Sequence, residues 1–317
     1  MIVDDADFLE LRLVSPPNLG QALALVNGYL KFSSILWIRA LGQPTLEGII
    51  IRRWSTKTAG ALRAFCARNR RDELLLRIDK RGTRWSARRG GYIIPAADAA
   101  RTVREMSKLD TITAMLEPAS PHRDLYCLAC VTVPEANRIV VEVVGPGFDT
   151  SDLVRSDLLP HERFEVSARF DEPKSAAALR RFVRRTYITA PDTYRKSVED
   201  RLAKIGARLR NPAFPNEVAV GPSELREDAR RFLHRHRETL LLRHSQRYTP
   251  IPQSYLLRFI MGVMSMITGL ERRGIRFGTL TFSGTFTTRK RLIYWDFFPA
   301  DTKEVHLLYS LRDEPKA

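Results

Sequence analysis

Cysteine is scarce in this sequence, which has three among its 317 residues. Cys66, Cys127 and Cys130 are too few for a framework of disulfides, and the first residues, MIVDDADFLE, lack the basic flank and apolar block of a secretory signal. We therefore expect a reducing, cytoplasmic setting. On a strand, the three-residue spacing of Cys127 and Cys130 places them on opposite faces, and no second cysteine pair accompanies them. We expect both to be core residues.

A long apolar run is also missing. The longest one, around Phe259 to Leu270, follows Arg258 and is shorter than the roughly 20 residues that span a bilayer. We expect no membrane-spanning helix and no membrane partner.

Acidic residues are too few to balance the basic ones. The sequence has 52 Lys and Arg against 36 Asp and Glu, a formal charge of +16. A basic field attracts polyanions such as nucleotides or nucleic acid. The other interpretation is that many of these arginines only solvate the faces of helices. The net charge alone does not decide between the two interpretations.

Two common catalytic patterns are absent from the sequence. His234, His236 and His244 share a predicted helix but do not have the i, i+4 spacing of a zinc-protease helix. Ser151 has no Gly-x-Ser-x-Gly setting. These patterns therefore give no case for a zinc protease or a serine hydrolase.

Short apolar strands and helices alternate in the first half of the sequence, which predicts an α+β chain. A helix is predicted over Thr58 to Arg68 and another over Ala96 to Leu109. The predicted strands are Gly48 to Arg52, Glu73 to Ile78, Ile112 to Leu116, Leu125 to Val133 and Arg138 to Val144.

The second half is richer in arginine and predicts longer helices. It closes with two strand-like runs joined by a turn through Gly284, which we interpret as a hairpin. The predicted helices are Ser175 to Arg185, Asp192 to Leu209, Ser223 to His244 and Ser254 to Arg272, and the closing strands are Ile275 to Ser283 and Arg291 to Phe298.

Two basic residues lie at the ends of predicted elements, and the first of them is placed where a phosphate can be bound. Lys31 follows Gly28 at the start of a predicted helix, where backbone and ammonium can reach a phosphate. Arg77 ends an apolar strand that precedes the glycine-containing segment Trp85 to Tyr92. One interpretation of Arg77 is that it pairs with Asp79 or another acid.

Three acidic residues lie on other predicted strands. Glu117 ends a strand that leaves the core. Glu142 lies on an apolar strand before Gly145-Pro146-Gly147, where its carboxylate can accept hydrogen bonds from a ribose or form a salt bridge beneath the turn. Asp296 lies among aromatic residues, where a buried acid needs a partner such as an arginine.

In this order the segments resemble the ATP-binding domain of pyruvate phosphate dikinase and phosphoenolpyruvate synthase, in the ATP-grasp superfamily. The resemblance implies an α+β, ATP-grasp-like fold of two lobes, 1–115 and 116–317, with mixed or antiparallel sheets and flanking helices. These lobes would work as one functional unit.

The resemblance also implies a site for ATP and Mg²⁺. Lys31 and Arg77 would hold phosphates, Glu117 would lie near the adenine, Glu142 near the ribose, and Asp296 would help to hold Mg²⁺. The family has a glutamate on the strand before Asp296, whereas this chain has no acid from Gly278 to Gly284.

Three functions stay open from the sequence. The first is an ATP-dependent phosphotransferase or ligase acting on an unidentified acceptor, and no catalytic residue is assigned for it. The second is a catalytically silent nucleotide-binding module, which the missing glutamate favours. The third is a nucleic-acid-binding protein that uses the basic stretches Ser175 to Arg210 and Glu224 to Arg247.

Overall fold

The computed structural model describes residues 7–45, 47–69, 72–80, 92–106, 112–118, 124–145, 160–173, 175–188 and 249–299. The chain divides into two compact units. The first contains Met1–Pro121 and Ile293–Phe298, and the second contains His122–Leu292 and Pro299–Ala317. The lobes predicted from the sequence, 1–115 and 116–317, stay a prediction about the functional division of the chain.

In the first unit, helices lie beside an antiparallel sheet with the strand order β1-β2-β5-β3-β4. The described strands are β1 (Phe8–Glu10), β2 (Ile49–Ile51), β3 (Glu73–Lys80), β4 (Tyr92–Pro95) and β5 (Ile112–Pro118). The described helices are α1 (Leu19–Leu25), α2 (Leu30–Ala40), α3 (Thr56–Asn69) and α4 (Ala99–Met106), with 3-10 turns at Leu11–Leu13, Pro16–Asn18 and Ala96–Asp98.

Helix α2 lies between two glycines that have positive φ angles. Gly28 precedes the helix with φ 84° and Gly42 follows it with φ 76°, a conformation that side chains with a Cβ rarely adopt. Phe32 and Leu36 are fully buried in the core cluster that α2 shares with α1 and β2. The two glycines therefore set the ends of α2, and its apolar side chains hold it on the core.

In the second unit, strands run in the order β10-β6-β7-β8-β9, and each neighbouring pair is antiparallel. The described strands are β6 (Asp124–Val133), β7 (Arg138–Val144), β8 (Glu162–Ser167), β9 (Val183–Ile188) and β10 (Leu280–Thr287). Its described helices are α5 (Ala176–Leu179) and α6 (Gln253–Glu271), and a last strand, β11 (Leu292–Pro299), lies mostly in the first unit.

Helix α6 covers one face of this sheet through aromatic contacts. The Tyr255 ring stacks on Phe286 with centroids 4.6 Å apart and meets Tyr126 edge-on at 6.4 Å. Arg258 lies over the Phe286 ring at 4.8 Å and donates to the Lys290 carbonyl at 2.7 Å. Because Tyr126 and Phe286 are directly paired, they mark the face on which α6 packs.

The α+β class predicted from the sequence is confirmed. Each of the five strands predicted in the first half is present, with Arg138–Val144 at the predicted ends. The helix predicted from Ser254 to Arg272 is present as α6. It ends at Glu271, and Gly274, with φ 70°, lies just beyond the helix.

Two predictions for the second half are wrong. The helix predicted over Ser175 to Arg185 stops at Leu179, and the chain passes through a 3-10 turn into β9, where β-branched and aromatic residues pair with β8. Gly284 lies inside β10 opposite Leu128. The turn is farther on, where the N–H of Lys290 donates to the Thr287 carbonyl at 2.8 Å.

The helices predicted over Asp192 to Leu209 and Ser223 to His244 lie outside the described residues. Among the described helices, none has the length and apolar character needed to cross a membrane.

Candidate functional site

Four charged residues are connected in the first unit: three are predicted site residues, and the fourth is a neighbour of Arg77 on β3. Lys31, Arg77, Asp79 and Asp296 are 4%, 6%, 1% and 7% exposed, respectively. We call them the charged cluster. Burying a charge without a partner is costly, and two cations with two carboxylates make a balanced set.

Asp79 holds the start of helix α2. Its Oδ2 accepts a hydrogen bond from the backbone N–H of Lys31 at 2.8 Å, across 48 positions of sequence. The first N–H groups of a helix have no partner within the helix, and the helix dipole favours an anion there. The Asp79 carboxylate therefore occupies the position at the α2 N-terminus that a phosphate would also favour.

Arg77 forms an ion pair with Asp296. Its Nη2 lies 3.2 Å from Asp296 Oδ2, and both side chains are less than one tenth exposed. The guanidinium also lies 5.7 Å from the centre of the Trp295 ring. The N–H of Tyr294, two residues before Asp296, donates to the Pro44 carbonyl at 2.9 Å. The β11 segment is thus fixed within the first unit by backbone and side chain.

This geometry brings three of the five predicted site residues together. Lys31, Arg77 and Asp296 belong to one cluster, and the alternative in which Arg77 pairs with an acid is the arrangement that the structure shows. The sequence analysis missed the contact of Asp79 with α2. Asp79 and Arg77 are two residues apart on a strand and therefore share a face, but no pattern in the sequence links that face to the start of α2.

Glu117, the residue predicted to lie near adenine, is in β5 opposite Leu75 of β3. The Trp85 to Tyr92 segment, predicted to cover phosphates, falls outside the described residues except for Tyr92 at the start of β4. The roles of Glu117 and of this segment stay predictions.

A row of polar residues crosses the second unit's sheet at Glu142. Arg163 of β8 lies opposite Glu142 of β7, Glu142 lies opposite Ala129 of β6, and Ala129 lies opposite Ser283 of β10. Directly opposed residues share a face of an antiparallel sheet. We call Arg163, Glu142, Ala129 and Ser283 the polar row.

The polar row lies on the face of the sheet away from helix α6. Tyr126, which contacts α6, is three positions from Ala129 and so lies on the other face. Glu142 is 3% exposed and Ser283 is 1% exposed. Buried polar side chains in proteins have hydrogen-bond partners, so the polar row forms part of a buried layer on this face of the sheet.

The end of β7 carries a backbone contact beside Glu142. His161 Nδ1 accepts a hydrogen bond from the Gly145 N–H at 3.1 Å. Gly145 is the first residue of the predicted Gly-Pro-Gly turn, and the rest of that turn falls outside the described residues. His161 therefore fixes the point at which the chain leaves the strand that bears Glu142.

A fully buried carboxylate that the sequence analysis missed lies on the other face. Glu162 Oε2 accepts a hydrogen bond from the Ile251 N–H at 2.7 Å, and Oε1 lies 3.1 Å from Arg185 Nη2. Tyr126 donates to the Thr249 and Pro250 carbonyls at 3.2 and 3.3 Å. These contacts hold the segment that leads into α6.

The cysteines behave as the sequence predicts. Cys127 and Cys130 are buried, and burial raises the pKa of the Cys130 thiol far above its ordinary value. Within the described ranges, no group of three or more His, Cys, Asp or Glu is arranged to hold a metal ion. Asp296 alone fits Mg²⁺ only alongside phosphate oxygens, which is a common arrangement for this ion. Its metal role stays a prediction.

No protein-family model matches the sequence, and no curated protein matches it. Solved structures similar to the chain include a D-alanyl-alanine synthetase A of Vibrio cholerae, with 8% identity over 88% of this chain and 56% of that one, at a TM-score of 0.38. Another is a D-alanine-D-alanine ligase of Coxiella burnetii, with 10% identity, 90% and 52% coverage, and a TM-score of 0.38.

A third is a carboxyaminoimidazole ribonucleotide synthetase in complex with ADP, with 10% identity, 88% and 46% coverage, and a TM-score of 0.41. These proteins are ATP-grasp ligases, and the chain spans about half the length of each. Because the TM-scores lie below 0.5, these similarities carry no inference about function.

Proposed function

We propose that this chain is an ATP-binding protein of the ATP-grasp type that acts as a phosphotransferase or ligase. In this proposal the charged cluster receives the phosphates. The observation that carries it is that Lys31 and Arg77, separate in the sequence, belong to one buried cluster beside the N-terminus of α2. A lysine in the first turn of a helix, and an arginine two residues from the carboxylate bonded to that turn, form a basic pair that could bind an anion.

The donors that Lys31 and Arg77 can offer a phosphate follow from their contacts. The backbone N–H of Lys31 is bonded to Asp79, so Lys31 would act through its ammonium. Arg77 has five N–H donors, which allows it to hold Asp296 and a phosphate oxygen at the same time. In a transfer step both cations would neutralise charge that moves from the γ-phosphate.

Magnesium would enter this proposal through Asp296. Bound there, the ion would neutralise phosphate charge, and Asp296 would have to share its carboxylate between the ion and Arg77. Glu117 near the adenine and Glu142 near the ribose complete the proposed nucleotide residues. The dikinase-like identity of the site is also part of this proposal, and the acceptor is not identified.

A silent nucleotide-binding module is the second candidate. Asp79 and Asp296 already compensate the α2 N-terminus and Arg77, so the charged cluster is balanced without a ligand. A buried cluster whose charges are balanced can be stable without taking part in a reaction. Nucleotide binding without phosphoryl transfer would therefore favour this candidate over the enzyme.

The test is calorimetric titration with ATP and with a slowly hydrolysed analogue, each with and without Mg²⁺. We expect micromolar binding by the wild type and a loss of at least tenfold in Arg77→Ala and Lys31→Ala, because charge-assisted hydrogen bonds contribute about 1.5–3 kcal/mol. A phosphate-release assay on the same samples separates the enzyme from the silent module.

Arg68→Ala is the matched control for Arg77→Ala. Arg68 also pairs with a carboxylate of the first unit, Glu10, at 2.8 Å, and lies outside the charged cluster. The Arg68→Ala variant should bind ATP as the wild type does. Thermal melting of each variant identifies those that fail to fold. Wild-type protein that binds no nucleotide under any of these conditions would refute the proposed function.

A further inference from the structure

The charged cluster has its cations already partnered and shielded from water. Lys31, Arg77, Asp79 and Asp296 are each less than one tenth exposed, and all four belong to the first unit. Two cations and two carboxylates in such a setting compensate one another. A phosphate therefore reaches the cations only when part of the cluster moves.

The two carboxylates of the cluster differ in what they prevent. Asp296 accepts from Nη2 of Arg77 at 3.2 Å, and the other N–H donors of a guanidinium can serve a second acceptor. The backbone N–H of Lys31 has a single hydrogen, which it donates to Asp79 Oδ2 at 2.8 Å. An oxygen of a ligand can therefore accept from this N–H only after Asp79 has released it, whereas Asp296 can stay.

Charge makes the same distinction. Asp79 lies at the N-terminus of α2, where the helix dipole favours one anion, and it shares a face of β3 with Arg77. A phosphate at this helix start would lie beside the Asp79 carboxylate, and like charges repel strongly where little water screens them. The carboxylate and the phosphate therefore compete for one position.

The start of α2 has other contacts that hold it in place. The Ser34 hydroxyl donates to the Lys31 carbonyl at 2.8 Å, and the Ser33 N–H donates to the Tyr29 carbonyl at 2.9 Å. Phe32 is fully buried in the core beside them. The Lys31 N–H is thus fixed by the helix itself and would stay available as a donor when Asp79 moves away.

We propose that Asp79 is an autoinhibitory carboxylate, which occupies the position of a phosphate at the start of α2 until a triphosphate displaces it. Displacement adds the backbone N–H of Lys31 to its ammonium as a phosphate donor. The inference rests on the proposed nucleotide function, because it concerns the phosphates bound at the same site. It adds a residue that weakens binding to the residues that were proposed to support it.

The test compares Asp79→Asn with the wild type by calorimetry. The amide keeps the shape of the carboxylate and an oxygen for the Lys31 N–H, but it has no charge. We expect the variant to bind ATP and tripolyphosphate about tenfold more tightly, because a neutral hydrogen bond is about half as strong as a charge-assisted one. Adenosine, which has no phosphate, should bind both proteins equally. A carboxylate that only caps the helix predicts unchanged or weaker ATP binding.

Glu10→Gln is the matched control. It removes the same charge from another carboxylate of the first unit, which is 8% exposed and pairs with Arg12 and Arg68. Its ATP affinity should equal that of the wild type, which shows that net charge alone does not tighten binding. Folded Asp79→Asn protein that binds ATP no more tightly than the wild type overturns the inference and leaves the proposed function standing.

A second measurement uses the wild type, so it does not depend on how Asp79→Asn folds. In NMR spectra of protein labelled isotopically at lysine, the Lys31 amide resonance is identified by its loss in Lys31→Arg. We expect it to move when ATP or tripolyphosphate binds, because its acceptor changes from carboxylate to phosphate. ATP binding that leaves this resonance unmoved overturns the inference alone. A wild type that binds neither compound overturns both the inference and the proposed function.

Discussion

At the scale of single residues, contacts between distant parts of the sequence assign the buried charges their partners. Arg77 and Asp79 are neighbours on β3, yet Arg77 pairs with Asp296 and Asp79 bonds to the Lys31 amide. The alternation of a strand predicts that Arg77 and Asp79 share a face. It does not predict which helix or strand lies against that face, so the sequence could not decide between a phosphate and a carboxylate as the partner.

Tyr126 gives a pH-dependent prediction at the same scale. Burial, then the charge of Glu162 and the neighbouring Tyr255, raise the pKa of Tyr126 above its ordinary value of 10.0. Below about pH 10 both folded and unfolded states keep the proton, and the hydroxyl contributes its hydrogen bonds. Above about pH 10 the tyrosine of the unfolded state ionises before Tyr126 of the folded state does. The contribution of the Tyr126 hydroxyl to the free energy of unfolding is therefore lost as the pH rises.

The measurement is thermal melting of the wild type and Tyr126→Phe from pH 8 to pH 11. At pH 8 we expect the variant to be less stable by about 1 kcal/mol, because it loses the bonds to the Thr249 and Pro250 carbonyls. The difference should shrink toward pH 11. A difference that stays constant, or grows, over this range would contradict the pKa shift of Tyr126.

At the scale of secondary structure elements, pairing overrode local preference in two places. The sequence predicts a helix as far as Arg185 from apolar residues at helical spacing, but β8 offers Val183–Ile188 a hydrogen-bonded edge and this segment forms β9. Gly284 looks like a turn residue, but it lies opposite Leu128 within β10. In both places the local sequence favours one secondary structure, and pairing with a neighbouring strand determines the structure that forms.

Substitution of glycine by alanine should change the stability of the protein in opposite directions at two positions. Gly60 lies inside α3 and Gly274 follows α6 with φ 70°, and a Cβ meets nothing within 4 Å at either position. Gly60→Ala should stabilise the protein by about 0.5–1 kcal/mol, because glycine loses more backbone freedom in a helix. Gly274→Ala should destabilise it by about 1–2 kcal/mol, because alanine is strained at positive φ.

Urea denaturation of both variants tests this pair of predictions. Gly278→Ala serves as the reference, since Gly278 also has open space for a Cβ and lies outside the described helices and strands. We expect its midpoint to stay close to that of the wild type. Stabilisation by Gly274→Ala would mean that the end of α6 rearranges in solution.

At the scale of the whole molecule, the charge of +16 must be carried by one folded chain. Like charges repel over a distance that salt shortens, from about 20 Å at low salt to about 7 Å at 0.2 M. The described surface of the second unit contributes to this excess at Arg180, Arg181 and Arg184, which are exposed. The basic stretches predicted to bind nucleic acid lie mostly outside the described residues, and that function stays a prediction.

We expect the melting temperature to rise as NaCl increases from about 20 mM to 200 mM, because screening weakens the repulsion. The variant with Arg180, Arg181 and Arg184 all changed to Gln lowers the formal charge by three and should show a smaller rise. Sucrose at equal osmolarity separates screening from solute effects. A melting temperature that falls with salt would show that attractive ion pairs outweigh the repulsion.

The sequence by itself determined the class of the chain and most of its element bounds. Apolar periodicity predicted the strands and α6, Gly28 marked the start of α2, and these signals are local. Only the tertiary structure decided that Asp79 caps α2, that Asp296 pairs with Arg77, and that Ser283 shares a row with Glu142. Strand register and burial set these contacts, and both depend on residues far apart in the chain.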